Sequence, residues 1–407
     1  MAHSAQFCQS RMEDVKVLSI CTVFPNPAEE ELGLFVRNRL QHTAALLPVR
    51  VVAPVPVIDY AARGSRNGLI PARRQDHDLD VYYPRWLYPP HGSSINAFFL
   101  AGRLLPYLRR LRRQYPFQVI DAHFGFPEGI AAALLGAALG CPFTITLRGN
   151  ETMHAASPGK RPWMRWAFRR AARIITVSES LRNFAMALGV GAARLRTIPN
   201  GIDGTVFFPR PHLETRTRLG MPVDRPVILS VGYLIERKGH HRVVRALGDL
   251  RRGGSKAELW IVGGPGREGD FVAEIQSAVR QNGLERAVHF AGVLKPPVLA
   301  EYMSAVDVFC LASSREGWPN VVNEALACGV PAVSSDVGGV RDMIPSADYG
   351  LVVPASDQAS LTVALGRALR IEWDRARIAA WGQSRSWTQV AAETATVLRE
   401  AAAEGKV

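Results

Sequence analysis

Acidic side chains are in short supply: 36 Asp and Glu stand against 49 Lys and Arg, a net charge of +13 over 407 residues. Such an excess calls for an anionic partner or a structural reason. Cysteine is scarce as well. Cys8, Cys21, Cys141, Cys310 and Cys328 are odd in number and fall at no metal-ligand spacing. That pattern argues against a disulfide scaffold or a zinc site, and for reduced core thiols in a cytosolic protein. Met1 to Asp14 is polar, carries no signal-peptide pattern and is expected to be disordered. Gly129 to Leu147 lacks any charged side chain over 19 residues, near the length of a membrane span. It is mostly Ala and Gly, however, and Pro142 divides it, so a buried helix followed by a strand is expected. Short-period repeats, low-complexity tracts, nucleic-acid-binding motifs and Ser/His/Asp or Cys/His arrangements are all missing, which disfavours repeat arrays, nucleic-acid binders and nucleophile-dependent hydrolases. Asp78-Leu79-Asp80 has the form of a metal-binding Asp-x-Asp but lies in a polar stretch far from the other motifs. It is read as accidental, and no metal site is expected.

What is present is the composition of a globular protein, 47% hydrophobic and 21% charged, at a length that suggests two domains. Hydrophobic runs of strand type recur at Val15 to Val23, Val49 to Val57, Phe117 to Phe124, Phe143 to Leu147, Arg173 to Val177 and Leu195 to Ile198. Helical segments separate most of them, the pattern of a parallel sheet wrapped by helices. Pro199-Asn200-Gly201-Ile202-Asp203 breaks the rhythm. It restarts with runs at Pro226 to Leu234, Glu258 to Gly264, Val288 to Gly292, Asp307 to Ala312, Pro331 to Ser335 and Gly350 to Pro354. The expected fold is therefore α/β, with two doubly wound, Rossmann-like domains over residues 15–208 and 209–385. A last helix around Trp387 to Ala403 lies within a C-terminal segment, residues 386–407.

The most informative stretch runs from Ser314 to Ile344. Glu316 sits in a loop closed by Gly317 and Pro319, and Pro at the helix entry pre-sets the first turn. From Asn320, Val321, Val322, Ala325 and Leu326 recur at helical spacing until Gly329 and Pro331 stop the helix. Glu324 thus lies inside a mostly apolar helix, where an unpaired carboxylate is costly. The setting Glu-Gly-aromatic-Pro-Asn before and Glu-Ala-x-Ala-x-Gly-x-Pro after resembles the E-x7-E signature of retaining glycosyltransferases of family 4, which have the GT-B fold.

The resemblance implies a GT-B layout, two domains facing across a cleft, with the last helix crossing back to the first domain. It implies that Glu316 contacts the donor sugar and Glu324 the ribose. The backbone of Gly317, Trp318, Pro319 and Asn320 then faces the sugar and diphosphate at the positive end of a helix. Gly33, between a strand and a helix start, is a diphosphate-side candidate. Gly232-Tyr233-Leu234-Ile235-Glu236-Arg237-Lys238-Gly239 is similar to the family's Gly-Arg-Leu…Lys-Gly phosphate clamp. Lys238 matches, Tyr233 replaces the family Arg, and Arg237 is the candidate substitute. Arg148-Gly149-Asn150-Glu151 stands where many relatives carry His-Gly-x-Asp. With His123 at a strand end, Arg148 and Glu151 are acceptor-side candidates, and Val177 to Ser180 and Asn200 to Asp203 also match. Gly264-Pro265-Gly266-Arg267-Glu268-Gly269 has the dinucleotide pattern, but the next strand ends without the acidic residue that NAD requires.

Positive charge gathers in two segments. One holds Arg103, Arg109, Arg110, Arg112 and Arg113. The other holds Lys160, Arg161, Arg165, Arg169, Arg170 and Arg173 beside Trp163, Trp166 and Phe168. Arg161, Arg165, Arg169 and Arg173 are four apart and would form one stripe on a helix. A solvated face and contact with an anionic membrane surface are the two explanations.

The expected activity is retaining transfer of a sugar from a nucleotide diphosphate sugar to a hydroxyl acceptor, a sugar or a lipid-linked sugar, in bacterial cell-surface polysaccharide or glycolipid synthesis. Lys238, Glu316 and His123 are the expected catalytic residues, with no cofactor and no metal. The location implied is cytoplasmic or peripheral on the inner face of the plasma membrane. A GT-B sugar-nucleotide-binding protein, or an epimerase or phosphorylase relative, is the alternative.

Overall fold

The computed structural model describes residues 15–57, 70–88, 94–266 and 269–404. The segment 1–14, expected to be disordered, lies outside the described residues, as do Cys8, Arg267 and Glu268. The chain divides into two compact units, Met1–Gly201 with Trp387–Val407, and Ile202–Ser386.

The first unit is built on β1 (Val17–Ile20), β2 (Val49–Val52), β3 (Val55–Pro56), β4 (Arg73–Asp76), β5 (Leu79–Tyr82), β6 (Arg85–Trp86), β7 (Val119–His123), β8 (Phe143–Leu147), β9 (Arg173–Thr176) and β10 (Leu195–Thr197). Its main sheet has the order β10-β9-β8-β7-β1-β2-β5-β4, and β3 pairs with β6 apart from it. All main-sheet pairings are parallel except β4 on β5. β1, β7 and β8 are buried along their whole length, which is why they read as mostly apolar runs, with Asp121 and His123 of β7 as buried polar exceptions. The β4–β5 hairpin was not legible in this way, because the edge strand Arg-Arg-Gln-Asp is polar. It also explains Asp80: its carboxylate accepts from Arg73 Nε at 2.6 Å and Tyr82 Oη at 2.8 Å.

The uncharged run resolves into the helix Ile130–Leu139, ended by left-handed Gly140, and then β8. Among the described residues no helix is long and apolar enough to cross a membrane. The C-terminal helix Trp387–Glu404 belongs to this first unit. Its buried Ala395, Leu398, Ala401 and Ala402 join Val36 and Leu40 of the helix Leu34–Ala44 in one core. Burying a leucine such as Leu398 contributes roughly 2 kcal/mol. The arginine stripe is shorter than expected. The helix Arg161–Phe168 stops before it can carry Arg173, which opens β9 and pairs with Glu400 at 3.0 Å and with Glu404.

The second unit carries β11 (Val227–Val231), β12 (Glu258–Val262), β13 (Val288–Gly292), β14 (Val308–Leu311), β15 (Ala332–Ser335) and β16 (Gly350–Val353). All are parallel, in the order β13-β12-β11-β14-β15-β16. Strand order reverses between β11 and β14. In such sheets ligands bind beyond the carboxyl ends of the strands at that reversal.

Candidate active site

Two loops leave the carboxyl ends of β11 and β14, and their side chains meet. The loop after β11 turns at Gly232, whose missing Cβ leaves room for the Lys238 stem, 3.2 Å from where that atom would stand. At Gly239 (φ 73°) a Cβ would fall 2.0 Å from the Ala312 carbonyl oxygen, so only glycine permits this turn. Lys238 is thereby aimed across the strand reversal. Its Nζ donates to Glu316 Oε1 at 2.6 Å, and Arg237 Nη1 lies 3.4 Å from Glu316 Oε2. Ser313 Oγ donates to the same carboxylate at 2.8 Å. Burial pushes the Glu316 carboxyl up, but Lys238 and Arg237 outweigh it and hold the group below the usual carboxylate range. Two cations are thus gathered on one carboxylate.

Glu316 is fixed from behind. Gly339 N donates to Gly317 O at 2.9 Å, and a Cβ on Gly338 would lie 2.5 Å from the carbonyl oxygens of Glu316 and Gly317. The helix Asn320–Ala327 follows, entered through Pro319. Glu324 on this helix has no hydrogen-bond or ion-pair partner among the described residues, and burial alone lifts its carboxyl to about 7. One glutamate is charged and saturated; the other is half-buried, without a partner among the described residues, and poised between its neutral and ionised forms near pH 7. Trp318 packs on the core, and its indole Nε1 has no hydrogen-bond partner among the described residues. Tyr233 is 47% exposed, and a Cβ on Gly266 would lie 3.0 Å from its Cβ and 3.2 Å from its ring.

The first unit holds a separate polar network at the ends of β1, β7 and β8. His123 Nδ1 accepts from Arg148 Nη2 at 2.8 Å, which leaves the ring proton on Nε2, 3.0 Å from Asp121 Oδ2. Burial outweighs Asp121 and lowers the His123 pKa, so the ring is neutral. Burial also brings the Arg148 guanidinium down to about 10. Arg148 Nη1 lies 3.5 Å from Asn200 Oδ1, and Arg39 Nη2 reaches the same oxygen at 3.3 Å. Glu151 accepts the backbone N–H groups of Gly125, Arg148 and Gly149 at 3.0, 3.1 and 2.6 Å. His123, Arg148 and Glu151 are 1%, 7% and 0% exposed. His123 stands at the carboxyl end of β7, as expected, and is buried there beside Arg148 and Asp121. Gly33 is left-handed (φ 69°) at the start of the helix Leu34–Ala44, and a Cβ there would meet Val23 O at 2.1 Å.

Sequence reasoning brought Arg237, Lys238, Glu316, Gly317, Trp318, Pro319, Asn320 and Glu324 to one place. It missed Ser313, Gly338 and Gly339, although the Gly-Gly pair is visible in the sequence. It also missed Asp121, Arg39 and the bracing role of Asn200, whose partners lie far away along the chain.

Comparison with known proteins agrees with this geometry. Residues 212–385 match the family model "Glycosyl transferases group 1", and residues 60–205 match "Glycosyltransferase Family 4". A D-inositol 3-phosphate glycosyltransferase of Acidothermus cellulolyticus is 31% identical, covering 77% of this chain and 73% of the relative. A GDP-mannose-dependent alpha-(1-6)-phosphatidylinositol monomannoside mannosyltransferase of Mycolicibacterium smegmatis is 30% identical over 76% of this chain and 85% of its own. The crystal structure of HepE from Anabaena in complex with UDP superposes with a TM-score of 0.72 at 20% identity, over 94% of this chain and 99% of that one. The chain belongs to the group 1, family 4 glycosyltransferases and has their two-unit GT-B fold.

Proposed function

We propose that this glycosyltransferase moves a hexose, with retention and without a metal ion, from a nucleotide diphosphate sugar to a hydroxyl of a cell-surface polysaccharide or glycolipid precursor. The observation that carries the proposal is the opposed state of the two glutamates at the strand reversal. Glu324, unpartnered, is poised to accept the two ribose hydroxyls, which select its ionised form. Glu316 holds Lys238 and Arg237 in place until a donor arrives. The diphosphate then takes up the two cations, and the freed carboxylate turns to the sugar hydroxyls. As the glycosidic bond breaks, negative charge grows on the leaving diphosphate. Lys238, Arg237 and the positive end of the Asn320–Ala327 helix are pre-aligned to meet it. That cationic clamp is the reason no metal is needed. Gly33 lets a backbone approach a phosphate without a side chain intervening. His123 and Glu151 are positioning residues: one orients Arg148, the other fixes the loop that carries it.

The relatives named for inositol phosphate and phosphatidylinositol mannoside acceptors support an acceptor that is anionic or lipid-borne. An anionic membrane surface as partner is supported by Arg161 and Arg165 on one short helix, with Trp163 41% exposed beside them. Phe98 packs edge-on to Trp163 at 4.8 Å, and Phe99 and Leu87 are exposed nearby in sequence.

The test is nucleotide release from a panel of UDP-, GDP- and ADP-sugars with glycolipid acceptors, with and without EDTA. Release from one donor that survives EDTA, with the anomeric configuration kept in the product, is expected. Inversion, or loss on EDTA with rescue by Mn2+, would overturn the proposal.

A further inference from the structure

Between Glu151 and Glu179 the chain carries Lys160, Arg161, Arg165, Arg169, Arg170 and Arg173 with no acid among them. Arg173 pairs with Glu400 and Glu404, and Lys160 lies over the Phe126 ring at 4.7 Å. The other four are exposed, and with Pro162 and Trp166 they line an open cavity of about 810 Å³. Among the described residues no carboxylate pairs with any of the four, and the guanidinium groups of Arg161, Arg165 and Arg169 make no hydrogen bond. Arg170 lies over the Trp166 ring at 4.8 Å, and Arg194 adds a further guanidinium at the edge, donating to Arg169 O at 2.8 Å. Like charges four apart repel, so the empty cavity is unfavourable and an anion among them relieves it. Guanidinium forks suit phosphate oxygens, which they bind in pairs.

The cavity does not stand alone. Trp166 is edge-on to Trp163 at 6.0 Å, and Trp163 is edge-on to Phe98 at 4.8 Å. Phe98 opens the helix Asn96–Gln114 and, with Phe99, Gly102, Trp86 and Leu87, lines a second open cavity of about 710 Å³. This one is mostly apolar. Gly102 has no atom within 4 Å of where a Cβ would stand, so its floor is open. Trp163, Phe99 and Leu87 are 41%, 46% and 61% exposed, a concentration of large apolar side chains that water does not favour. A basic cavity and an apolar one, joined by three rings in a row, have the two-part chemistry of an amphiphile.

We propose that this face of the first unit binds one lipid with a phosphomonoester or diphosphate head. The head sits among Arg161, Arg165, Arg169 and Arg170, and the hydrocarbon chain runs over Trp163 and Phe98 into the apolar cavity. The inference rests on the reading of an anionic membrane partner above and narrows it from a diffuse surface to a single-lipid site.

The test is calorimetric titration of the full-length protein, without any bilayer, with decyl phosphate below its micellar concentration. Inorganic phosphate, decyl maltoside and dihexanoyl phosphatidylglycerol are the comparison ligands. Decyl phosphate should bind one site, at least about tenfold more tightly than each of the three, because only it offers both a dianionic head and a long chain. Arg165→Ser with Arg169→Ser should reduce it at least about tenfold, to the level of decyl maltoside. Phe99→Ser should weaken decyl phosphate about tenfold and leave inorganic phosphate unchanged. All three positions are exposed, so these variants should fold as wild type. Decyl phosphate no tighter than decyl maltoside or the phosphatidylglycerol, or full binding by either variant, would overturn the proposal. Sedimentation with anionic vesicles in the absence of one-site binding would do the same while leaving the membrane reading intact.

Discussion

Replacing Glu324 by Gln should stabilise the empty protein and weaken its hold on a nucleotide sugar. The carboxyl has no partner among the described residues, and burial raises it from 4.5 to about 7. Between those values the folded state holds a proton that the unfolded chain has released, so stability falls as pH rises through the window. The stabilisation is full below the unfolded value and gone above about pH 8, a total of about 3 kcal/mol at most. Glu324→Gln removes this cost, so it should match wild type near pH 5 and exceed it near pH 8 by up to that amount. Binding runs the other way. Ribose hydroxyls donate to the ionised form, which is about a tenth of the population at pH 6 and about nine-tenths at pH 8. Affinity for a nucleotide sugar, whose diphosphate does not titrate in this range, should rise about tenfold between those values in wild type and stay flat in the variant. At pH 8 the variant should bind roughly 10- to 100-fold more weakly. Chemical denaturation and calorimetric titration at the two pH values measure both effects. Equal pH slopes in the two proteins, or unchanged affinity of Glu324→Gln at pH 8, would refute the reasoning.

Other outcomes follow from the same geometry. Glu316→Gln releases Lys238 and Arg237 from their carboxylate, so free nucleoside diphosphate should bind at least as tightly as to wild type while turnover collapses; calorimetry and steady-state kinetics separate the two. Lys238→Ala should lower kcat roughly 100- to 1,000-fold, Arg237→Ala by a comparable factor if it replaces the arginine absent at Tyr233, and Tyr233→Arg should be neutral or activating. Full turnover in both alanine variants with a confirmed donor would remove this loop from the phosphate clamp. Sedimentation with vesicles rich in anionic lipid should fall as salt rises, with screening over about 8 Å at physiological ionic strength, and should fall again in Arg161→Ser, Arg165→Ser, Arg169→Ser. No sedimentation at low salt would leave that helix a solvated face.

Local signals are written in neighbouring residues, and the sequence alone determined what depends on them. Strands of a parallel sheet appear as mostly apolar runs, so the six strands of the second sheet were legible, though not their order. Glu316, Pro319 and Glu324 were legible for the same reason: a loop, a helix entry and an acid on an apolar helix all lie within nine positions. What depended on distant contacts was not. The edge strand Arg73–Asp76 is polar because one side of it meets no sheet, so its hairpin gave no apolar run. The stripe ending at Arg173 presumed a helix that ends at Phe168; the spacing was right and the backbone was not helical. His123 could be placed at a strand end, but only the tertiary structure decided that Arg148 bonds its Nδ1 inside the unit and that Asp121 stands beside its Nε2. Lys238 and Glu316 are 78 residues apart, and their contact exists because β14 lies beside β11 in the sheet. Strand order is a property of the whole packed unit, and it is what turned two separate motifs into one site.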